Sequence, residues 1–205
     1  MLPEQISASL YNRQSTFAYQ AMFVSSCVHR TALADMHLKH QRQTLPIAAY
    51  RQHIVQTLED NQVLVLSGET GCGKSTQLPA FIMEDQLSRG KACKIICTEP
   101  RRISAISLAQ RVSAEMGEPA GAVGTNSSLI GYSIRLESNI AKSTRLAFVT
   151  NGIALRMLEG GSGQGGGAAI DEVTHLIVDE VSKVHRWLFH ISQCIGPRKA
   201  RKCNN

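Results

Sequence analysis

Apolar residues along the chain follow two alternating kinds of pattern. Short apolar runs such as NQVLVLSG (61–68), KACKIICTEP (91–100) and THLIVDE (174–180) are typical of buried parallel strands. Longer segments between them show helical spacing, as in LPIAAYRQHIVQTLED (45–60), whose apolar positions are Ile47, Tyr50, Ile54 and Leu58. Strands that alternate with helices predict an α/β fold with a mostly parallel sheet and flanking helices.

The same patterns predict the remaining elements. We expect strands within SLIGYSIRL (128–136) and TRLAFVTN (144–151), and the strand of KACKIICTEP to stop at Pro100. Helices are expected over 74–86, over 101–117 ending at Gly117, and in GIALRMLE (152–159). One further helix is expected over 17–40, and the glycine-rich run 160–167 is read as a linker or surface insertion, with phosphate binding as the alternative.

Composition narrows the class of protein. The chain has 205 residues, with 43% hydrophobic and 19% charged residues, which fits one good-sized globular domain. The net charge of +6 is compatible with a nucleic-acid partner without being diagnostic of one. The six cysteines lack disulfide spacing, and the apolar patch 17–28 lacks a basic lead-in and a clear cleavage site. We therefore expect an intracellular protein of the cytoplasm or nucleus, without a signal peptide or membrane span.

The segment GETGCGKS, residues 68–75, matches the phosphate-binding pattern G-x-x-x-x-G-K-[ST]. Glycines let backbone N–H groups close around phosphates, and the following helix presents free N–H groups there. The pattern predicts that Lys74 reaches the β- and γ-phosphates of ATP and that the Ser75 hydroxyl binds Mg²⁺. A chance glycine-rich turn is the alternative. The predicted ATP-binding residues are Gly68, Glu69, Thr70, Gly71, Cys72, Gly73, Lys74, Ser75 and Thr76.

Asp179 and Glu180 follow the last predicted strand. A phosphate-binding loop of this kind needs a carboxylate at the end of a neighbouring strand to hold Mg²⁺, and Asp179 is predicted to supply it. Glu180 is predicted to be a catalytic residue that orients or deprotonates the attacking water, together with Lys74. The alternative is a pair of exposed carboxylates at a strand end.

Five motifs carry a family resemblance: GETGCGKSTQLP, TEPRRISA, GYSIRLES, VTNGIALRML and THLIVDEV, in that order. Over residues 45–181 the chain resembles the first RecA-like domain of the DEAH-box and RNA helicase A group of ATP-dependent RNA helicases. The resemblance implies a RecA-like P-loop NTPase fold, use of ATP with Mg²⁺, and sequence-nonspecific contact with the RNA backbone. It places at RNA the residues Thr98, Arg101, Arg102, Arg135, Thr150 and Asn151, and it places Arg111 against adenine.

Residue chemistry supports part of this assignment. Arginine binds phosphate oxygens without reading sequence. Positive charge at a helix start, as at Arg101 and Arg102, is unfavourable unless an anion is near. Arg111 has an alternative interpretation as a solvated arginine on a helix face.

The resemblance stops at Val181. Ser182 stands where the family has a histidine, and we expect residues 182–205 to form a divergent basic tail, with Trp187 less buried than a core tryptophan. One hypothesis is an unspliced intron, because Val181 and Ser182 can be encoded by a common intron start. A lineage-specific tail or a frameshift is the alternative. The histidines and cysteines of the tail match no zinc pattern.

Three functional interpretations stay open. The first is an RNA helicase motor fragment with an N-terminal extension (1–44), expected to lack the second RecA-like domain and therefore unwinding activity. The second is an inactive truncated module that binds nucleotide or RNA. The third is another P-loop enzyme, which TEPRR argues against.

Overall fold

The computed structural model describes residues 33–158 and 172–180. Helix α1 (Leu33–Thr44) is followed by a short 3-10 helix (Pro46–Tyr50) and by α2 (Arg51–Asp60) and α3 (Lys74–Ser88). Strand β1 (Ile95–Glu99) and helix α4 (Arg102–Glu115) come next, then β2 (Ile130–Ile134) and β3 (Glu137–Asn139). Strand β4 (Leu146–Thr150), helix α5 (Asn151–Leu158) and strand β5 (His175–Val178) complete the described chain.

These strands form one five-stranded sheet in the order β3-β2-β4-β1-β5. Strands β1, β2, β4 and β5 are parallel, with Ile95 opposite both Leu146 and His175, while β3 is antiparallel to β2. The predicted α/β class with a mostly parallel sheet is therefore confirmed. Because parallel strands end at the same edge, the residues after β2, β4, β1 and β5 are brought to one side of the molecule.

The sheet is covered on both faces. Along β1 and β4, Ile95, Cys97, Leu146 and Phe148 pack into one core cluster with helices α3 and α4. The intervening residues face a second cluster that includes Ala154 of α5. A strand buried on both faces needs apolar residues at every position, which is why these strands read as continuous apolar runs.

The prediction of a buried strand at 61–68 is wrong. Residues 62–67 form no strand, and Val63 and Val65 are 71% and 87% exposed. Leu64 and Leu66 pack instead against the cluster of Ile47, Ile54 and Phe81. The described sheet ends at β3 on one side and at β5 on the other, and this segment pairs with neither of these edge strands.

Other boundaries also differ from the prediction. The described part of the N-terminal helix runs to Thr44, beyond residue 40. Tyr50, predicted on an apolar face, is 61% exposed, because residues 46–50 form a 3-10 helix that breaks the continuous 3.6-residue period. The short strand β3 was not predicted. The glycine run 160–167, residues 17–32 and the tail from 181 onward lie outside the described residues.

The fold also bears on two further expectations. In the described ranges 33–158 and 172–180, no helix has both the length and the apolar character needed to cross a membrane. Cys93 and Cys97 are buried free thiols, as expected of small core residues, and burial raises the pKa of Cys93 to about 12.

Candidate functional site

The predicted phosphate-binding loop leads directly into helix α3, which begins at Lys74. Gly71 and Gly73 have φ angles of +83° and +100°, which L-residues with side chains rarely adopt. Gly73 is the N-cap of the helix, and its carbonyl accepts the first helical hydrogen bond from Gln77 N at 2.8 Å. The loop therefore has the backbone form that exposes N–H groups at a helix N-terminus.

Residues just after α1 pack against this loop. A Cβ placed on Gly73 would lie 3.0 Å from both Leu45 Cδ1 and Ile47 Cγ2. The Ile47 N–H also donates to the Cys72 carbonyl at 3.3 Å. Because a trans peptide directs its C=O and N–H to opposite sides, this bond turns the Gly73 N–H away from Ile47.

Lys74 is held by the loop itself. Its Nζ atom donates to the carbonyls of Gly68 and Glu69, each at 2.6 Å, and lies 3.5 Å from Cys72 Sγ. The Thr76 hydroxyl donates to the Gly73 carbonyl at 3.3 Å. The ammonium group thus lies over the loop, where a phosphate would have to compete with the two carbonyls for it.

Asp179 and Glu180 follow β5 at the carboxyl edge of the sheet. The Asp179 N–H donates to the Thr98 carbonyl of β1 at 3.3 Å, which continues the pairing of the two strands. Glu180 has a φ of +51°, and its N–H donates to Asp179 Oδ1 at 2.8 Å. This turn ends the strand and leaves Glu180 exposed.

Glu99, the last residue of β1, is a third carboxyl at this position. It is 3% exposed, and its Oε1 atom has no hydrogen-bond partner in the described structure. Burial raises the pKa of Glu99 to about 8, helped by the charge of Asp179, a hydrogen bond with Asp179 and the charge of Glu180. A buried carboxyl beside two others is more easily kept protonated than ionised.

These carboxyls do not complete a metal site by themselves. Among the described residues, no group of three or more His, Cys, Asp or Glu side chains is arranged to hold a metal ion. An Mg²⁺ ion that is held through one or two protein oxygens plus substrate phosphates does not require such a group. Ser75 and Asp179, a hydroxyl and a carboxylate, are donors of the type that Mg²⁺ prefers.

Basic residues occupy the other part of the same edge. Arg101 and Arg102, at the start of α4 after β1, and Arg135, directly after β2, are all exposed. The strand order places β2, β4, β1 and β5 side by side, so the edge carries arginines near β2 and β1 and acidic residues near β5. The first turn of α4 contains no acidic residue that would neutralise Arg101 and Arg102.

The other predicted RNA contacts differ in exposure. Thr150 ends β4 and Asn151 begins α5, and both are half-buried at this edge. Thr98 is fully buried within β1. Its side chain is closed off from solvent in this structure, and its contact with RNA stays a prediction.

Arg111 lies on α4 with its side chain 48% exposed. Its Nε atom donates to Glu115 Oε1 at 2.6 Å and its NH2 group donates to Gln41 Oε1 at 3.3 Å. It is therefore an anchored arginine, unlike a freely solvated one on a helix face. Its contact with adenine stays a prediction.

Sequence reasoning missed two groups of residues. Glu99 is part of the TEPRR motif, but only the pairing of β1 with β5 shows that it lies beside Asp179. Arg42 contacts Gln77 and Glu84, 35 and 42 positions along the chain, a relation that no local pattern reveals.

Comparison with known proteins adds a family match. Residues 39–196 match the model of the family described as DEAD/DEAH box helicase, a range wider than the 45–181 that the motifs suggested. The chain is 50% identical over 147 residues to the mouse ATP-dependent RNA helicase DHX29. It is 49% identical over 146 residues to the Arabidopsis thaliana DExH-box ATP-dependent RNA helicase DExH1. It is 48% identical over 143 residues to the human putative ATP-dependent RNA helicase DHX57.

These similarities cover most of this chain but little of the relatives. The aligned part is 70% of this chain and 10% of the mouse protein, and 70% of this chain and 14% of the Arabidopsis protein. For the human protein the shares are 69% and 10%. The chain thus corresponds to a small part of each of these relatives.

Proposed function

The chain belongs to the DEAD/DEAH box helicase family, and from that premise we propose that it binds ATP with Mg²⁺ at residues 68–76 and contacts the RNA backbone at the neighbouring basic edge. In this proposal it is the nucleotide-binding part of an RNA helicase motor. ATP hydrolysis coupled to RNA binding is the activity that the motor would use.

The shape of the 68–75 loop carries the proposal. Two glycines in left-handed conformations lead into a helix that begins at the lysine of the phosphate-binding pattern. A helix N-terminus preceded by such a loop offers backbone N–H groups and a positive dipole end to an anion. The residues present therefore fit a triphosphate.

Different side chains of this chain would bind the phosphates, the Mg²⁺ ion and the attacking water. Lys74 would exchange the Gly68 and Glu69 carbonyls for phosphate oxygens, so that its charge faces the β- and γ-phosphates. Ser75 and Asp179 would hold Mg²⁺, which supplies positive charge against the phosphates when it is bound. Glu180 would accept a proton from, or orient, the attacking water, and its exposure leaves it accessible for that role.

Arg111 would contact the base. Glu115 accepts a hydrogen bond from the Nε atom of Arg111, which fixes one edge of the guanidinium. The side chain is still 48% exposed, so part of it is available for contact with a base. Arginine can stack on a planar ring through its own planar group.

RNA would lie along the basic part of the carboxyl edge. Arg101, Arg102 and Arg135 are exposed there, and phosphate oxygens are anions that exposed arginines bind without regard to base sequence. Thr150 and Asn151 lie between them, after the strand that separates β2 from β1. We therefore expect binding that tolerates any sequence and weakens steeply with salt.

The nucleotide assignment is tested by titrating the 205-residue chain with ATP in the presence of Mg²⁺. Lys74→Ala should remove most of the affinity, because it deletes the charge that faces the phosphates. Lys142→Ala, which removes an exposed lysine before β4, is the matched control and should bind normally. Equal ATP affinity of Lys74→Ala and the unaltered chain would show that residues 68–76 are not the nucleotide site.

A binding module without turnover is the second candidate. It is favoured by one observation: the segment 62–67 before the phosphate-binding loop is not paired with β5, the strand that Asp179 follows. Steady-state ATP hydrolysis with and without single-stranded RNA separates the two candidates. Turnover that RNA stimulates and that Glu180→Gln abolishes supports the enzyme, whereas tight ATP binding without turnover supports the module.

A further inference from the structure

A buried polar network connects helix α1 to the two helices beside the nucleotide site. The Arg42 Nε atom of α1 donates to Gln77 Oε1 at 2.9 Å, and its NH2 group donates to Glu84 Oε1 at 2.8 Å. Gln77 is fully buried, one turn into α3, and its Nε2 atom donates to Glu115 Oε2 of α4 at 2.7 Å. Arg42 Nε also lies 4.0 Å from Glu115 Oε2. Arg42 thus pairs with the partly buried Glu84 and orients the fully buried Gln77.

The other oxygen of the Glu115 carboxylate holds Arg111. Glu115 Oε1 accepts from Arg111 Nε at 2.6 Å, and the Glu115 side chain is only 2% exposed. The carboxylate is therefore shared, with one oxygen bound to Gln77 and the other to Arg111. A buried carboxylate needs such partners to remain charged.

Helix α1 also touches Arg111 directly. The Arg111 NH2 group donates to Gln41 Oε1 at 3.3 Å, and Gln41 is the residue before Arg42. Two consecutive residues of α1 therefore act on the same guanidinium. Gln41 does so directly, through its side-chain amide oxygen. Arg42 does so indirectly, through Gln77 and Glu115.

We propose that Gln41 and Arg42 are positioning residues that fix the Arg111 guanidinium for contact with the base of the nucleotide. This inference rests on the base contact of Arg111 in the proposed function. If Arg42 is lost, Gln77 Oε1 loses its charged donor and its amide is no longer held toward Glu115. Glu115 Oε2 is then available to Arg111, and a carboxylate with two available oxygens binds guanidinium in bidentate form. Arg111 is drawn toward α4 and away from the base.

The test compares a ligand that has a base with one that lacks it. The full chain and its variants are titrated calorimetrically with Mg²⁺ plus ATP and, separately, with Mg²⁺ plus inorganic tripolyphosphate. Arg42→Lys keeps the charge but loses the forked donors, and Gln41→Ala keeps every ion pair of the network. Arg51→Ala is the matched control, because Arg51 NH2 lies 2.9 Å from the other oxygen of Glu84, Oε2, and among the described residues its ion pair does not involve Gln77 or Glu115.

Arg42→Lys and Gln41→Ala should each raise the Kd for ATP by about two- to tenfold, the range of one lost hydrogen bond, and leave the Kd for tripolyphosphate unchanged. Arg51→Ala should change neither. A purely structural role for Arg42 would lower the melting temperature and weaken both ligands together, which would overturn the proposal. Gln41→Ala keeps the test valid should Arg42→Lys fail to fold.

Arg111→Ala separates this inference from the function on which it rests. If Arg111→Ala weakens ATP but not tripolyphosphate, while Gln41→Ala and Arg42→Lys have no effect, the positioning role is wrong and the base contact stands. If Arg111→Ala leaves ATP affinity unchanged, the base contact is wrong and the positioning role falls with it. The phosphate-binding role of residues 68–76 is judged independently by Lys74→Ala.

Discussion

Glu99 and Asp179 lie side by side at the carboxyl ends of adjacent parallel strands, and the charge of Asp179 adds to burial in raising the pKa of Glu99. The strand pairing runs from Ile95 opposite His175 to Thr98 opposite Val178, so the next residue on each strand is one of the two acids. Two neighbouring carboxyls repel each other when both are ionised. Burial raises the pKa of Glu99 to about 8, which favours its protonated form.

The first prediction concerns the pH dependence of stability. The pKa of Glu99 is about 8 in the folded chain, against an ordinary value of 4.5. The folded state therefore keeps a proton that the unfolded state loses, and the stabilisation is present in full below pH 4.5 and disappears as the pH rises through 8. Glu99→Gln keeps a neutral, similarly shaped side chain and should remove this loss of stability at high pH. The measurement is the free energy of unfolding in urea at pH 5 and pH 9, without Mg²⁺.

The expected result is a flatter profile for Glu99→Gln and greater stability than the unaltered chain at pH 9. Glu172→Gln alters an exposed carboxylate and should leave the shape of the profile unchanged. Parallel profiles for Glu99→Gln and the unaltered chain would contradict the buried, protonated state of Glu99.

The second prediction compares two glycines of the phosphate-binding loop. Gly71 and Gly73 both have positive φ angles, so alanine at either position costs about 1–2 kcal/mol in backbone strain. A Cβ at Gly71 meets nothing within 4 Å, whereas one at Gly73 meets Leu45 and Ile47 at 3.0 Å. Gly73→Ala should therefore reduce the free energy of unfolding more than Gly71→Ala, and it should also weaken tripolyphosphate binding because the loop must shift.

Thermal and urea unfolding of the two variants provide the measurement. Gly152→Ala is the control, because Gly152 lies in helix α5, has no positive φ and has open space around its Cβ position. It should be neutral or slightly stabilising. Equal destabilisation by Gly71→Ala and Gly73→Ala would show that residues 45–47 do not support the loop.

The third prediction concerns the basic part of the carboxyl edge. Replacing Arg101 and Arg102 together by alanine should flatten the plot of log affinity for single-stranded RNA against log salt by about one unit for each lost phosphate contact. The loss should be similar for RNAs of different sequence. Filter binding at several salt concentrations measures the slope.

Lys142→Ala is the control for net charge. Lys142 is exposed and precedes β4, so it lies toward the opposite edge of the parallel strands. It should leave the slope nearly unchanged. If the double arginine variant also leaves the slope unchanged, RNA does not bind at this edge.

Local patterns were enough to predict much of this fold and site. The runs around Ile95–Glu99 and Leu146–Thr150 are strands buried on both faces, because an unbroken apolar run fits few other environments. The loop at 68–75 was recognisable because its chemistry requires particular residues at fixed spacing. Both signals lie within about ten consecutive residues.

Relations between distant segments were not predictable in this way. The buried Gln77 is held by Arg42 and Glu115, 35 and 38 positions away, and neither partner has a local signature. The contact of Glu99 with Asp179 depends on which strands are neighbours, and strand order is a property of the whole sheet. The burial of Thr98 was not predictable for the same reason, because membership of a motif does not show whether a side chain is buried.

The last prediction tests the segment whose interpretation was wrong. Val63–Leu66 has the composition of a buried strand, but a strand is buried only when it pairs with neighbours, and this segment pairs with no strand of the described sheet. Val65 is 87% exposed, whereas Val149, in β4, is fully buried.

Val→Thr at each position replaces a methyl group by a hydroxyl with almost no change in shape. Val65→Thr should change the free energy of unfolding by less than about 0.5 kcal/mol, the usual range for surface positions. Val149→Thr should cost about 1–3 kcal/mol, because its hydroxyl is buried among apolar groups. Urea unfolding of the two variants measures the difference. A loss at Val65 as large as that at Val149 would place this segment inside the sheet and restore the prediction made from its sequence.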